Sequence, residues 1–233
     1  MIPLCNDKPS ATVPFMTWFL MAVNVGLFVY ELLLPAPELE SLLCTYGIIP
    51  DRFWDWQGRT PEDVLRFCLM PCFTSMFLHG GWLHVIGNVW SLWLFGHNIE
   101  DRLGHFRFVL FYVLTGLLAG ILHVSLNYQS PVPCIGASGA IAGVMGAYFL
   151  LFPFSWITVL IPVIIIPVFI KIPAFFYLLL WIVSQVMGGY GALTQGEAAS
   201  AGIAFWAHVG GFLGGMYWIR RWRRRRPRRS RRR

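Results

Sequence analysis

The chain has 233 residues, 57% of them hydrophobic and only 12% charged, a balance that excludes a soluble globular domain and points to a polytopic membrane protein folded as one bundle. The formal net charge of +7 misleads, because eleven arginines fall in the last fourteen residues, "RRWRRRRPRRSRRR", and the remainder sums to −4. The tail is basic and the body is not.

In chain order, apolar windows near 14–34, 83–97, 106–126, 138–152, 173–188 and 202–219 are each long enough to cross or nearly cross a bilayer. All six are read as helices, giving an all-α bundle of six transmembrane helices. The first window has no basic lead-in beyond Lys8 and no small-residue cleavage site, so it is read as a retained span. Residues 1–13 then form a short cytoplasmic segment, 14–219 the bundle, and 220–233 an Arg-rich cytoplasmic tail. The connection from 35 to 82 mixes proline, tryptophan and charge ("PAPELE", "PDRFWDWQGRTPEDVLR") and is expected to be a long outside loop folded on the membrane face. There is no internal repeat.

The stretch "WITVLIPVIIIPVFIKI" at 156–172 is short for a span, is interrupted by Pro162 and Pro167, and is closed by Pro173. It is therefore read as interfacial or re-entrant. The positive-inside rule keeps the tail in the cytoplasm, and six spans then keep the N-terminus there too. The tail is expected to be drawn to anionic headgroups; no specific nucleic-acid partner is expected.

Cys5, Cys44, Cys68, Cys72 and Cys134 form neither a metal spacing nor a disulfide-dense scaffold. A bridge among Cys44, Cys68 and Cys72 and unpaired thiols both remain open. Polar side chains at membrane depth are costly and mark function. Apart from Glu31 at the end of the first window, those that stand out are His84, Asn88, His123, Ser138 and His208. His123, with nothing polar near it in sequence, is read as hydrogen-bonding a neighbouring helix.

The fourth window holds about fifteen residues, roughly 22 Å of helix, so its start, Ser138, falls about 8 Å below the outer face. His208 and Asn88 each lie about six residues into their windows, roughly 9 Å deep. Gly139, Gly143 and Gly146 on the fourth window, and Gly210, Gly211, Gly214 and Gly215 on the sixth, allow close backbone contact. Packing these two helices together brings Ser138 towards His208, a nucleophile and its base. The first turn of the fourth helix offers free N–H groups and a positive dipole end to an oxyanion. His84 and Asn88, at i and i+4, share a face and reach towards the same oxygen. With no carboxylate at that depth, a Ser/His dyad is expected.

These residues resemble the rhomboid intramembrane serine proteases over most of the chain from about 74 to 218. The carrying motifs are "SMFLHGGWLHVIGN" with His79, His84 and Asn88, "FGHNIEDRLGHFRFVLFY", "GASG" at 136–139 and "FWAHVGG" at 205–211. The resemblance implies a six-helix rhomboid core. Ser138 matches the nucleophile, His208 the general base, and His84 and Asn88 the oxyanion donors, joined by the Ser138 N–H. His79 matches a structural histidine near the site, and Gly136 and Gly139 match glycines that allow close approach. No metal or cofactor is implied. The partners implied are transmembrane protein substrates, preferring small residues at the cut. The location implied is a bacterial cell membrane, with the site opening to the outside face.

Two positions depart from the family pattern. Ala142 stands where an aromatic ring often stacks on the histidine, so His208 is expected either to be held more loosely or to be oriented by Phe205 or Trp206. The Trp-Arg pair of the first loop has Leu65-Arg66 as its nearest counterpart. An inactive rhomboid-like scaffold would keep the fold but usually lose the serine or histidine, and both are present. A histidine relay in a transporter would usually need intramembrane acids. His79 and His84, at i and i+5, lie off a common face and lack a third metal ligand.

Overall fold

The structure, a computed structural model, describes residues 1–54, 59–163, 166–195 and 203–222. Each of the six apolar windows contains a helix. These are α1 (Phe15–Leu33), α3 (Trp82–Leu103), α4 (His105–Leu126), α5 (Ser138–Leu151), α6 (Ala174–Gln195) and α7 (Phe205–Trp222), with α2 (Ala36–Tyr46) in the long connection. That connection also carries short helical turns at Pro50–Phe53, Pro61–Val64, Leu65–Leu69, Pro71–Thr74 and Ser75–Phe77. The Arg-rich tail from residue 223 lies outside the described residues.

Among the described residues, three helices are long and apolar enough to cross a membrane by length and composition: Phe15–Leu33, His105–Leu126 and Ala174–Thr194. Helices α3 and α7, which carry His84, Asn88 and His208, are comparably long but less apolar. Helix α5 is apolar and short, its 14 residues reaching about 21 Å. It is buried on every face from Gly139 to Tyr148, as befits a helix apolar all round at the centre of a bundle. Phe95, Tyr112, Tyr148 and Phe212 are among the rings that close the core around it.

The fold is mostly helical, and the all-α expectation is corrected in one place. The stretch expected to be an interfacial or re-entrant segment is built of strands, β2 (Trp156–Val163) paired antiparallel with β3 (Ile166–Pro173). The N-terminal residues Ile2–Asn6 form β1, which pairs antiparallel with β2, giving the sheet order β1-β2-β3. Isoleucine, valine and threonine dominate the hairpin and prefer a pleated surface. Its prolines, taken as helix breakers, sit directly opposite each other at Pro162 and Pro167. Ile157 and Val159 are fully buried against the core. Hydrogen bonds from Trp90 Nε1 to the Pro3 carbonyl (2.6 Å) and from Asn6 Nδ2 to the Leu94 carbonyl (2.6 Å) tie β1 to α3.

At the same end, the fully buried Glu100 of α3 caps α1, accepting from the N–H groups of Met16 (3.0 Å) and Thr17 (2.8 Å) and from the Thr17 hydroxyl (2.6 Å). His105 Nδ1 pairs with the same carboxylate. The chain reverses between α3 and α4 at Gly104, whose φ of +81° suits a residue without Cβ.

Candidate active site

The loop before α5 is held at three points by backbone hydrogen bonds. Ile48 and Cys134 exchange a pair (3.0 and 2.7 Å), the Asp51 N–H donates to the Ser130 carbonyl (3.1 Å), and the Gly136 N–H donates to the Ser75 carbonyl (2.8 Å). The long connection therefore positions the loop that leads into Ser138. Burial pushes the Cys134 thiol up to about 12, so it stays protonated. All five cysteines are free thiols.

Ser138 is the first residue of α5, where N–H groups have no intrahelical acceptor. Its partner helix α7 comes to backbone contact. A Cβ on Gly211 would overlap the Gly139 carbonyl, one on Gly215 the Gly143 carbonyl, and one on Gly146 the Phe212 carbonyl. At the mouth of this seam His208 Nε2 lies 2.8 Å from Ser138 Oγ. That distance is a hydrogen bond between a nucleophile type and a base type.

His84 and Asn88 of α3 face the same spot. Gly136 has φ +120°, and a Cβ built there would lie 2.5 Å from His84 Nε2 and 3.7 Å from Asn88 Nδ2. Asn88 is buried, and its Nδ2 has no hydrogen-bond partner among the described residues. A buried donor left without a partner beside a helix N-terminus is free to donate to an oxygen that carries negative charge. Behind Ser138 lies a cavity of about 20 Å³ lined by small residues including Gly116, Ala119, Gly120 and Ala140, with Met76 at its wall.

His79 is buried beside the site, not in it. Its ring stands edge-on to His84 (centroids 5.1 Å apart) and Phe28 (6.4 Å), and its backbone N–H donates to the Glu31 carboxylate (3.2 Å). Burial first, and then the neighbouring His84, push the His79 imidazole down to about 4. The Nδ1 of His123 meets Asn127 Nδ2 (3.3 Å), on the residue that follows the last turn of α4, whereas a hydrogen bond to a neighbouring helix was expected.

The expectation for orienting His208 is corrected. Phe205 packs over Gly188 and Trp206 over Gly189, both against α6. The ring beside His208 is Trp181 of α6, with centroids 5.7 Å apart and planes tilted by 37°. Gln185, one turn further along α6, brings Oε1 to 2.7 Å from His208 Nδ1. Sequence reasoning missed both. The available signal was spacing: Trp181, Gln185, Gly188 and Gly189 repeat at helical intervals and define one face of α6.

Residues 66–225, more than half of the chain, match the rhomboid domain. The chain is 31% identical over 147 residues to rhomboid protease GluP of Bacillus subtilis (strain 168), a match covering 61% of this chain and 24% of that protein. It is 34% identical over 91 residues to RHOMBOID-like protein 5 of Arabidopsis thaliana, covering 39% and 28%. It is 30% identical over 95 residues to rhomboid protease GlpG of Salmonella newport (strain SL254), covering 41% and 33%. These matches span about a quarter to a third of the relatives' own lengths. Apolar helices wrapped around a short buried one and a domain match from residue 66 to 225 lead to one conclusion: this multi-pass membrane protein belongs to the rhomboid family.

Proposed function

We propose that the chain is an intramembrane serine endopeptidase that cuts transmembrane segments of other membrane proteins. The observation that carries this is the 2.8 Å contact between Ser138 Oγ and His208 Nε2 at the mouth of the α5–α7 seam. His208 takes the hydroxyl proton as Ser138 Oγ attacks the peptide carbonyl. The oxyanion is met by the Ser138 N–H, Asn88 Nδ2 and His84. His208 then gives its proton to the leaving amine, and water releases the acyl group by the same steps in reverse. The cavity behind Ser138 suits a small side chain next to the scissile bond.

Residues 14–219 make up the protease domain, with six spans, 1–13 and 220–233 cytoplasmic, and the site opening outward. The pairing of β1 with β2 supports this. Residues 2–6 and 156–163 share one side of the membrane, so the chain between them crosses an even number of times. Helices α1, α3, α4 and α5 satisfy that as four spans, and an open sheet with a free edge is no span itself. The Arg-rich tail is drawn to anionic headgroups on the cytoplasmic face.

The test is labelling of the purified chain in detergent with a fluorophosphonate, together with cleavage of a single-pass substrate. Wild type is expected to be labelled at Ser138 and to cleave. Ser138→Ala and His208→Ala are expected to do neither, since either loss disables the unit. Cleavage by Ser138→Ala would overturn the proposal.

A further inference from the structure

We infer that Gln185 is a positioning residue that sets the tautomer of His208. The inference rests on reading Ser138 as nucleophile and His208 as its base. A base must present a lone pair at Nε2 to Ser138 Oγ, so its ring proton must sit on Nδ1. What holds it there is readable from the hydrogen bonds around Gln185.

Gln185 is buried and is flanked on α6 by outward-facing residues. Its Nε2 lies 3.0 Å from Ser184 Oγ and 3.3 Å from the Trp181 carbonyl. The Ser184 hydroxyl donates to that same carbonyl at 2.6 Å, so its proton is spent and its oxygen is left to accept. Both neighbours of that end of the amide are therefore acceptors, and only the NH₂ group fits between them. Turning the amide over would set Oε1 against the Trp181 carbonyl, which has no proton to give, and would draw the Ser184 hydroxyl off its 2.6 Å bond to that carbonyl. The NH₂ end is thus fixed, and Oε1 is the atom that faces His208 Nδ1 at 2.7 Å.

A carbonyl oxygen only accepts, so Nδ1 carries the proton and Nε2 keeps its lone pair for Ser138. The hydrogen bond also fixes the ring plane, with Trp181 packed alongside. Gln185 so fills the place that a carboxylate holds in a Ser-His-Asp triad. A neutral amide does this without the desolvation cost of a buried charge in an apolar helix.

The test compares the full-length chain in detergent with Gln185→Met, which keeps the shape but has no acceptor, and Gln185→Glu, which keeps an acceptor. Gln185→Met is expected to lose about 10- to 100-fold in kcat with KM little changed, as for a misplaced catalytic group. Gln185→Glu is expected to retain most of the activity. A packing role predicts the reverse order, Met above Glu, and that order would overturn the inference. So would full turnover in Gln185→Met.

A measurement on the unmutated chain stands apart from any folding defect in the variants. Nitrogen-15 NMR of labelled histidine, assigned by loss of the signal in His208→Ala, is expected to show Nδ1 protonated and Nε2 unprotonated at neutral pH. The opposite tautomer would overturn the inference. Ser138→Ala separates the two readings: cleavage by that variant removes the dyad itself, whereas an inactive Ser138→Ala beside a fully active Gln185→Met removes Gln185 alone.

Discussion

Helix α7 faces two neighbours in two different ways. Against α5 it presents glycines, and the obstacles to any added atom are carbonyl groups of the opposing backbone. Against α6 it presents rings, with Phe205 and Trp206 seated over Gly188 and Gly189. Backbones in contact cannot yield without moving whole helices, whereas side chains yield by changing rotamer. The proposed nucleophile and base, Ser138 and His208, sit on the unyielding seam. The group proposed to orient the base, Gln185, comes from the adjustable one.

The sharpest way to break this comparison is to add atoms on each side. Gly211→Ala and Gly215→Ala are expected to cost about 3 kcal/mol or more each, because a carbonyl must move. Gly188→Ala, whose Cβ would meet the edge of the Phe205 ring at 2.5 Å, is expected to cost under about 1.5 kcal/mol. Thermal unfolding in detergent reads the difference, and equal losses would erase the distinction between the seams.

The next effect bears on chemistry carried by the rigid seam. Asn88→Ala is expected to slow cleavage about 100- to 1000-fold, while Ser138 still reacts slowly with a fluorophosphonate. Unchanged turnover would make Asn88 a packing residue.

The smallest effect lies at the rim. The His79 imidazole, held near 4 in the fold against an ordinary value of 6.5, stays neutral where the unfolded chain takes up a proton. Stability is therefore expected to fall as pH drops from about 6.5 towards 4, by at most about 3 kcal/mol from this group. His79→Leu should flatten that slope in a pH series of melting temperatures. A slope identical to wild type would remove His79 as its source.

Much of this was legible in the sequence because period and composition are local. The apolar windows each contain a helix, and the glycines of "GASG", "AIAGVMG" and "HVGGFLGG" announced a close approach before any helix was placed. What escaped was non-local or lacked a charge. The hairpin at Trp156–Pro173 was read through its prolines only as an interfacial or re-entrant segment, although its β-branched run favours a strand once β1 supplies a partner. That partner lies at the other end of the chain. Gln185 escaped because one uncharged side chain in an apolar window looks like a surface residue until its neighbours are known. The anchor of Cys134 on Ile48 is a backbone pairing, to which side-chain identity gives no clue.

The pairing of β1 with β2 also sets an order of events during synthesis. Asp7 takes a hydrogen bond from the Trp156 N–H across 149 residues of sequence. At about 5–20 residues per second, the first strand waits roughly 7–30 s for its partner to be made, while α1, α3, α4 and α5 are laid down. Residues 2–7 are thus made well before they can be secured, and their docking on β2 follows the synthesis of α1, α3, α4 and α5.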